Sequence, residues 1–166
     1  MASLVCKTCG ETHDSLPSLM FSAPTPYALA SPEDRAEHWD VEGDFAVYKE
    51  SEFFVRAMLL LPIKDTDQSL TFGCWSSLSK DNFTKYFQKF EDDDQSTLGP
   101  MFSYFMNAVP GYSRTLGLNS DIIPQDDRMR PLIWLHDFDH PLVQHQRDGI
   151  SMNEATTYFH THVSKN

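Results

Sequence analysis

Phe45-Ala46-Val47-Tyr48-Lys49-Glu50-Ser51-Glu52-Phe53-Phe54-Val55-Arg56-Ala57-Met58-Leu59-Leu60-Leu61-Pro62 is the stretch whose reading decides the fold. Phe45, Val47 and Lys49 alternate with Ala46 and Tyr48, the period of two that a half-buried strand requires. Glu50-Ser51 reads as a short turn, and Phe53 to Leu61 as a second strand that Pro62 ends. Leu70 to Ser77, rich in aromatic and small residues, reads as a third strand. Three sequential strands with short connections predict an antiparallel meander.

Working toward the C-terminus, Ser79 predicts a helix N-cap, with Phe83, Tyr86, Phe87 and Phe90 at i, i+3, i+4 and i+7. Glu91-Asp92-Asp93-Asp94 ends that helix, since like charges are unfavourable beside its negative C-terminal end. Phe102, Phe105, Met106 and Val109 repeat the helical spacing before Pro110-Gly111. Leu116 to Ile123 and Pro131 to His136 are candidate strands, and Asp139-His140-Pro141 opens a short helix that Gly149 closes. Ser151 with Glu154 forms a capping box, and Met152, Ala155, Thr156, Phe159 and Val163 predict one face of a terminal helix.

Working toward the N-terminus, residues 21–43 carry Pro24, Pro26 and Pro32 and read as a wrapping segment that buries Tyr27, Leu29 and Trp39. Residues 1–20 read as a turn-rich knuckle holding Cys6 and Cys9. The expected fold is one α+β domain over residues 1–166: a mostly antiparallel sheet around a central three-stranded meander, with helices packed on one side.

At 166 residues, 40% hydrophobic and 13% aromatic, the chain can fill one core and is not disordered. A formal net charge of -11 argues against a nucleic-acid partner, because phosphate recognition depends on clustered Lys and Arg. The same charge suits a basic protein partner. The longest wholly apolar run, Ala57 to Leu61, is far short of a membrane span, and the N-terminus lacks a signal-peptide pattern. Three cysteines suit reduced thiols and a cytoplasmic setting.

Cys6-Lys7-Thr8-Cys9-Gly10 with His13 is the one local signature that carries its own chemistry. Two thiolates at this spacing can grip one zinc ion from a tight turn, with His13 as a third ligand. A tetrahedral site needs a fourth, for which His38, Cys74 or a C-terminal histidine are candidates. Two reduced thiols that shape a turn, or a redox pair, are the other readings. Asp139-His140 is the candidate proton-transfer pair, the carboxylate orienting the imidazole, although Asp139 as an N-cap before Pro141 is the simpler reading. Arg56, inside an apolar strand, either pairs with a carboxylate or binds an anionic ligand. His160 and His162 near the C-terminus read as exposed. No nucleophile elbow, phosphate loop, dinucleotide fingerprint or H-E-x-x-H occurs.

Taken in order, Cys6-x-x-Cys9-Gly10 with His13 and Leu16-Pro17, Phe53-Phe54-Val55-Arg56, Trp75-x-Ser77-Leu78-Ser79, Pro110-Gly111-Tyr112 with Thr115, Arg130-Pro131-Leu132, and Asp139-His140-Pro141-Leu142 with Gln146 and Gly149-Ile150-Ser151 resemble a bacterial family catalogued as domain of unknown function 2199. The resemblance implies a single-domain protein of about this length and implies no activity. It also implies further cysteines in the stretch from Asp44 to Met58, where this chain has none, which argues against an all-cysteine metal site. The reading favoured is a non-catalytic interaction protein, with a structural zinc at Cys6, Cys9 and His13. The alternative is a small hydrolase or transferase using Asp139 and His140, with Arg56 as an anion clamp.

Overall fold

The computed structural model describes Leu4–Val5, Thr12–His13 and residues 16–165. β1 (Leu4–Val5) pairs antiparallel with β2 (Thr12–His13) as a small separate sheet. β3 (Leu19–Met20), α1 (Thr25–Leu29), α2 (Pro32–His38) and β4 (Trp39–Glu42) follow. The expected meander is present as β5 (Phe45–Tyr48), β6 (Glu52–Pro62) and β7 (Ser69–Leu78). Beyond it lie α3 (Lys80–Gln88), β8 (Met101–Phe105), β9 (Asn119–Ile123), β10 (Leu132–Leu135), α4 (Pro141–Asp148) and α5 (Met152–Lys165).

The sheet closes on itself, where an open sheet was expected. β6, β7, β8, β9 and β10 pair in sequence order, and β10 returns to β6 through Leu132 opposite Met58. In an up-and-down order of five strands the first and fifth run the same way, so the closing pair is parallel and the other four antiparallel. The lengths of β6 and β7 permit closure. One edge of β6 serves β5 at Glu52–Val55 and then β10 at Met58. One edge of β7 likewise serves β3 at Phe72–Gly73 and β8 at Ser76–Leu78. β5 and β4 extend the barrel outward, and β4 ends the strand order.

Alternation along β6 sorts two cores. Val55, Ala57, Leu59 and Leu61 point into the barrel with Leu70, Phe72 and Cys74 from β7 and Phe105, Ile122 and Leu135 from the later strands. Phe54 points outward and packs with Ala46 and Trp75 in a second cluster, covered by Phe21, Trp39 and Val41 of the wrapping segment. Tyr27 stands edge-on to Trp39 at 5.4 Å, as expected of that segment, whereas Leu29 is 79% exposed and buries nothing.

Two further expectations need correction. Residues 102–109 do not form a helix, because Met101, Ser103 and Phe105 alternate inward with exposed Phe102 and Tyr104 in β8. The inward Ser103 hides the period of two; its hydroxyl is satisfied inside the barrel by that of Ser120, 2.7 Å away. On α5 the capping box forms in both directions, with Glu154 N–H donating to Ser151 Oγ and Ser151 N–H to Glu154 Oε1, each at 3.1 Å. The buried face of α5, however, turns from Ala155 and Thr156 to His162, leaving Val163 51% exposed. His162 is thus buried rather than exposed, edge-on to Phe21 at 4.8 Å.

The helices lie outside the barrel: α3 against β6 and β7, α4 against β6, and α5 against β3. Gln146 on α4 clamps the β10 backbone, accepting from Leu135 N–H at 2.9 Å and donating to Ile133 C=O at 2.7 Å. Gly149 ends α4 at φ +81°, where an added Cβ would meet the Pro62 carbonyl oxygen at 3.0 Å.

Candidate functional site: an acidic groove floored by phenylalanines

The β4–β5 hairpin and α3 enclose a groove of about 580 Å³. Ser79 caps α3 by accepting from Asn82 N–H at 3.2 Å, which fixes the helix so that Phe83, Phe87 and the following Phe90 face Phe45. Phe45 sits among them, edge-on to Phe83 at 5.6 Å, Phe87 at 5.0 Å and Phe90 at 4.8 Å. Such edge-to-face pairs are favoured by the ring quadrupoles. Phe87 remains 57% exposed, so the groove floor stays open to solvent.

Asp40, Glu42, Asp44 and Glu91 line the same groove. Asp44 is already compensated: it accepts two hydrogen bonds from Arg130, at 3.0 and 3.1 Å, and stands 3.8 Å from Arg56. Glu91 lies 3.9 Å from Arg128, both largely exposed. The exposed carboxylates of Asp40 and Glu42 therefore carry the groove's field, on one face of β4 opposite Val47 and Phe45. A second concavity of about 550 Å³ continues along the hairpin, sharing Asp40 and Val47 with the groove, and adds Glu37 and Glu50 together with Lys49. Burial, and then the negative Asp44, push the Tyr86 hydroxyl well above its ordinary pKa, so it stays a neutral phenol beneath the groove.

Arg56 lies outside the barrel under the wrapping segment. Its guanidinium donates to the carbonyls of Gly43, Phe21 and Ser22, each at 3.3 Å, and stacks over Trp75 at 4.8 Å. Burial first, and Arg130 second, lower its pKa against the opposing pull of Asp44, while the hydrogen bonds that Arg130 donates to Asp44 raise that of Arg130 itself. Three of its donors are committed to backbone, which leaves little for an anionic ligand.

His140, not Asp139, caps α4. Its Nδ1 accepts from Leu142 N–H at 3.0 Å, so Nε2 carries the proton and donates to the Ser113 carbonyl at 2.7 Å. Asp139 is exposed at the rim of a neighbouring hollow of about 470 Å³ that also contains Asp137. Asp137 in turn holds Asn119 through its backbone N–H at 2.8 Å and its side-chain amide at 3.2 Å. Arg56 and His140 share no hydrogen-bond partner, and their elements lie against different segments.

Cys6 and Cys9 lie outside the described residues, and of His13 the structure gives its place in β2. Cys74, one of the candidate fourth ligands, is fully buried in the barrel core, and burial pushes its thiol pKa up. It is therefore a packing side chain. Among the described residues no group of three or more His, Cys, Asp or Glu is arranged to hold a metal ion.

Two arrangements escaped the sequence reading. Tyr112 Oη lies 2.7 Å from His145 Nδ1, His145 Nε2 lies 3.6 Å from Glu154, and Tyr112 stacks on Tyr158 at 4.6 Å. This junction ties the loop after β8 to α4 and α5. It requires Gly111, at φ +89°, where a Cβ would strike the Tyr158 ring at 2.8 Å. The second is the outer face of β8 and β10, where Phe102, Tyr104 and Trp134 are each more than two-fifths exposed. The helical misreading of residues 102–109 had concealed it.

No helix among the described residues is long and apolar enough to cross a membrane. No curated protein and no solved structure matches the chain. A family model does match, over residues 5–150, and with it the Pro110-Gly111-Tyr112 and His140-Pro141 segments just described. The chain belongs to the family described as "Uncharacterized protein conserved in bacteria (DUF2199)".

Proposed function

We propose that the protein is a non-catalytic interaction protein of the cytoplasm whose groove between the β4–β5 hairpin and α3 receives a basic segment of a protein partner. The supporting observation is the pairing of Asp40 and Glu42 with the open phenylalanine floor around Phe87. Lysine and arginine stems bury their methylenes on apolar rings while their charged heads reach carboxylates. The chain's charge of -11 steers such a partner in. A lysine-rich peptide titrated into labelled protein should shift the backbone signals of residues 40–47 and 83–91. Its affinity should fall steeply with added salt. An acidic peptide producing the same shifts would sink the reading.

A zinc ion held by Cys6, Cys9 and His13 belongs to the same proposal as a structural element of the N-terminal region, on the chemistry of that donor set. The hydrolase alternative finds less support, because both ring nitrogens of His140 are engaged in holding backbone.

A further inference from the structure

β4 stands at the end of the strand order, and among the described residues it pairs with β5 alone. The phase of that pairing decides which backbone groups remain outward. His38 C=O accepts from Lys49 N–H at 2.9 Å, so the residue pairs that exchange hydrogen bonds are His38 with Lys49, Asp40 with Val47, and Glu42 with Phe45. Trp39 and Val41 therefore turn their backbone polar groups to the free edge. The Trp39 N–H is taken by Arg35 C=O at the end of α2. Among the described residues the Val41 N–H and the Val41 and Trp39 carbonyls are left for an incoming strand.

We infer that the partner's basic segment binds in extended form, adding a strand to the edge of β4. This rests on the reading of the groove given above and names its mode of recognition. Side chains of an added strand alternate between faces. Every second residue would then lie beside Asp40 and Glu42 and reach the Phe87 floor and Glu91, so a basic residue at those positions meets carboxylates. Farther along the hairpin the same face of the added strand would meet the concavity edged by Glu37 and Glu50. The same charges select the occupant. A second copy of this chain would bring its own Asp40 and Glu42 against like charges, as edge strands commonly use charge to prevent self-pairing. A basic strand is the one that these residues admit. The edge spans only Trp39–Glu42, so backbone bonds are few and side-chain charge supplies much of the attraction.

The test uses a short peptide of alternating lysine and valine, and the same peptide N-methylated at every second residue in either phase. Val41→Pro is the matching change in the protein, and an edge position with its N–H outward tolerates proline. Expected is binding of the plain peptide, slowed exchange of the Val41 amide in the complex, and at least a tenfold loss for one N-methylated phase and for Val41→Pro. Binding that weakens with Asp40→Lys but ignores both N-methylated phases and Val41→Pro would overturn strand addition and leave the groove standing. No binding of the plain peptide to folded protein would overturn both.

Discussion

Asp44 grips Arg130 through two hydrogen bonds, at 3.0 and 3.1 Å, across a separation of 86 residues. This pairing joins the turn between β4 and β5 to the segment just before β10, close to where the barrel closes. It also neutralises the one groove carboxylate that is mostly buried, with 16% of its side chain exposed. The recognition charge consequently rests on Asp40 and Glu42, while Asp44 serves the fold.

Asp44→Ala should therefore destabilise the protein by about 1–3 kcal/mol, since it leaves the half-buried Arg56 without a counter-charge as well as freeing Arg130. Arg130→Ala should cost less, about 1 kcal/mol or below, because that side chain is 41% exposed. Urea denaturation of the two variants checks the order, and a larger loss for Arg130→Ala would contradict it.

Asn107 is fully buried, accepting from Trp75 N–H at 2.7 Å and donating to Ala23 C=O at 3.0 Å. It thus joins the wrapping segment to β7 beside the second core. Asn107→Ala should cost roughly 2–4 kcal/mol, because two buried backbone groups lose their partners. Proteolysis should then cut first within residues 21–43, and cleavage confined to the barrel strands would speak against this role.

Much of this was legible in the sequence, and the failures have physical causes. The three meander strands, the α3 stripe and the capping box at Ser151 follow from local periodicity and capping chemistry. Barrel closure was not legible, because it rests on one parallel contact between residues 74 positions apart, Met58 and Leu132, and no local pattern encodes that. β8 was misread because its central inward residue is the polar Ser103. The groove was half legible. Its phenylalanines stood out as a helical stripe, but the stripe gives no sign that Phe87 stays exposed or that Asp40 and Glu42 come beside it.

His162 supplies a pH dependence. Burial against Phe21 and Phe72 lowers its pKa, with a hydrogen bond donated to the Met20 backbone opposing in part. The folded state thus prefers neutral imidazole, and the unfolded state binds more protons between the two pKa values. Stability should be full above about pH 6.5, the ordinary histidine value, and fall as pH drops toward the lowered one. His162→Phe should flatten that part of the curve in thermal melts between pH 7 and 5. An unchanged slope would show that other groups set it.

The zinc proposal predicts close to one equivalent of zinc in protein purified without chelator, and its loss on Cys6→Ser. The barrel should survive that loss, because the described apolar faces of β6 to β10, from Val55 to Leu135, pack against one another to fill its core. Elemental analysis with near-ultraviolet circular dichroism reads both. Less than about a tenth of an equivalent would rule out a tight structural centre.

The central claim is that Asp40 and Glu42 select a basic partner, and calorimetric titration of a lysine-rich peptide tests it most directly. Asp40→Lys with Glu42→Lys should weaken binding by about tenfold or more, equivalent to at least about 1.4 kcal/mol. Reversing Asp65 and Asp67, exposed in the turn between β6 and β7, should change it by less than about threefold at physiological ionic strength. Equal losses from the two pairs would mean that net charge alone attracts the peptide, and would contradict a site at the β4–β5 hairpin.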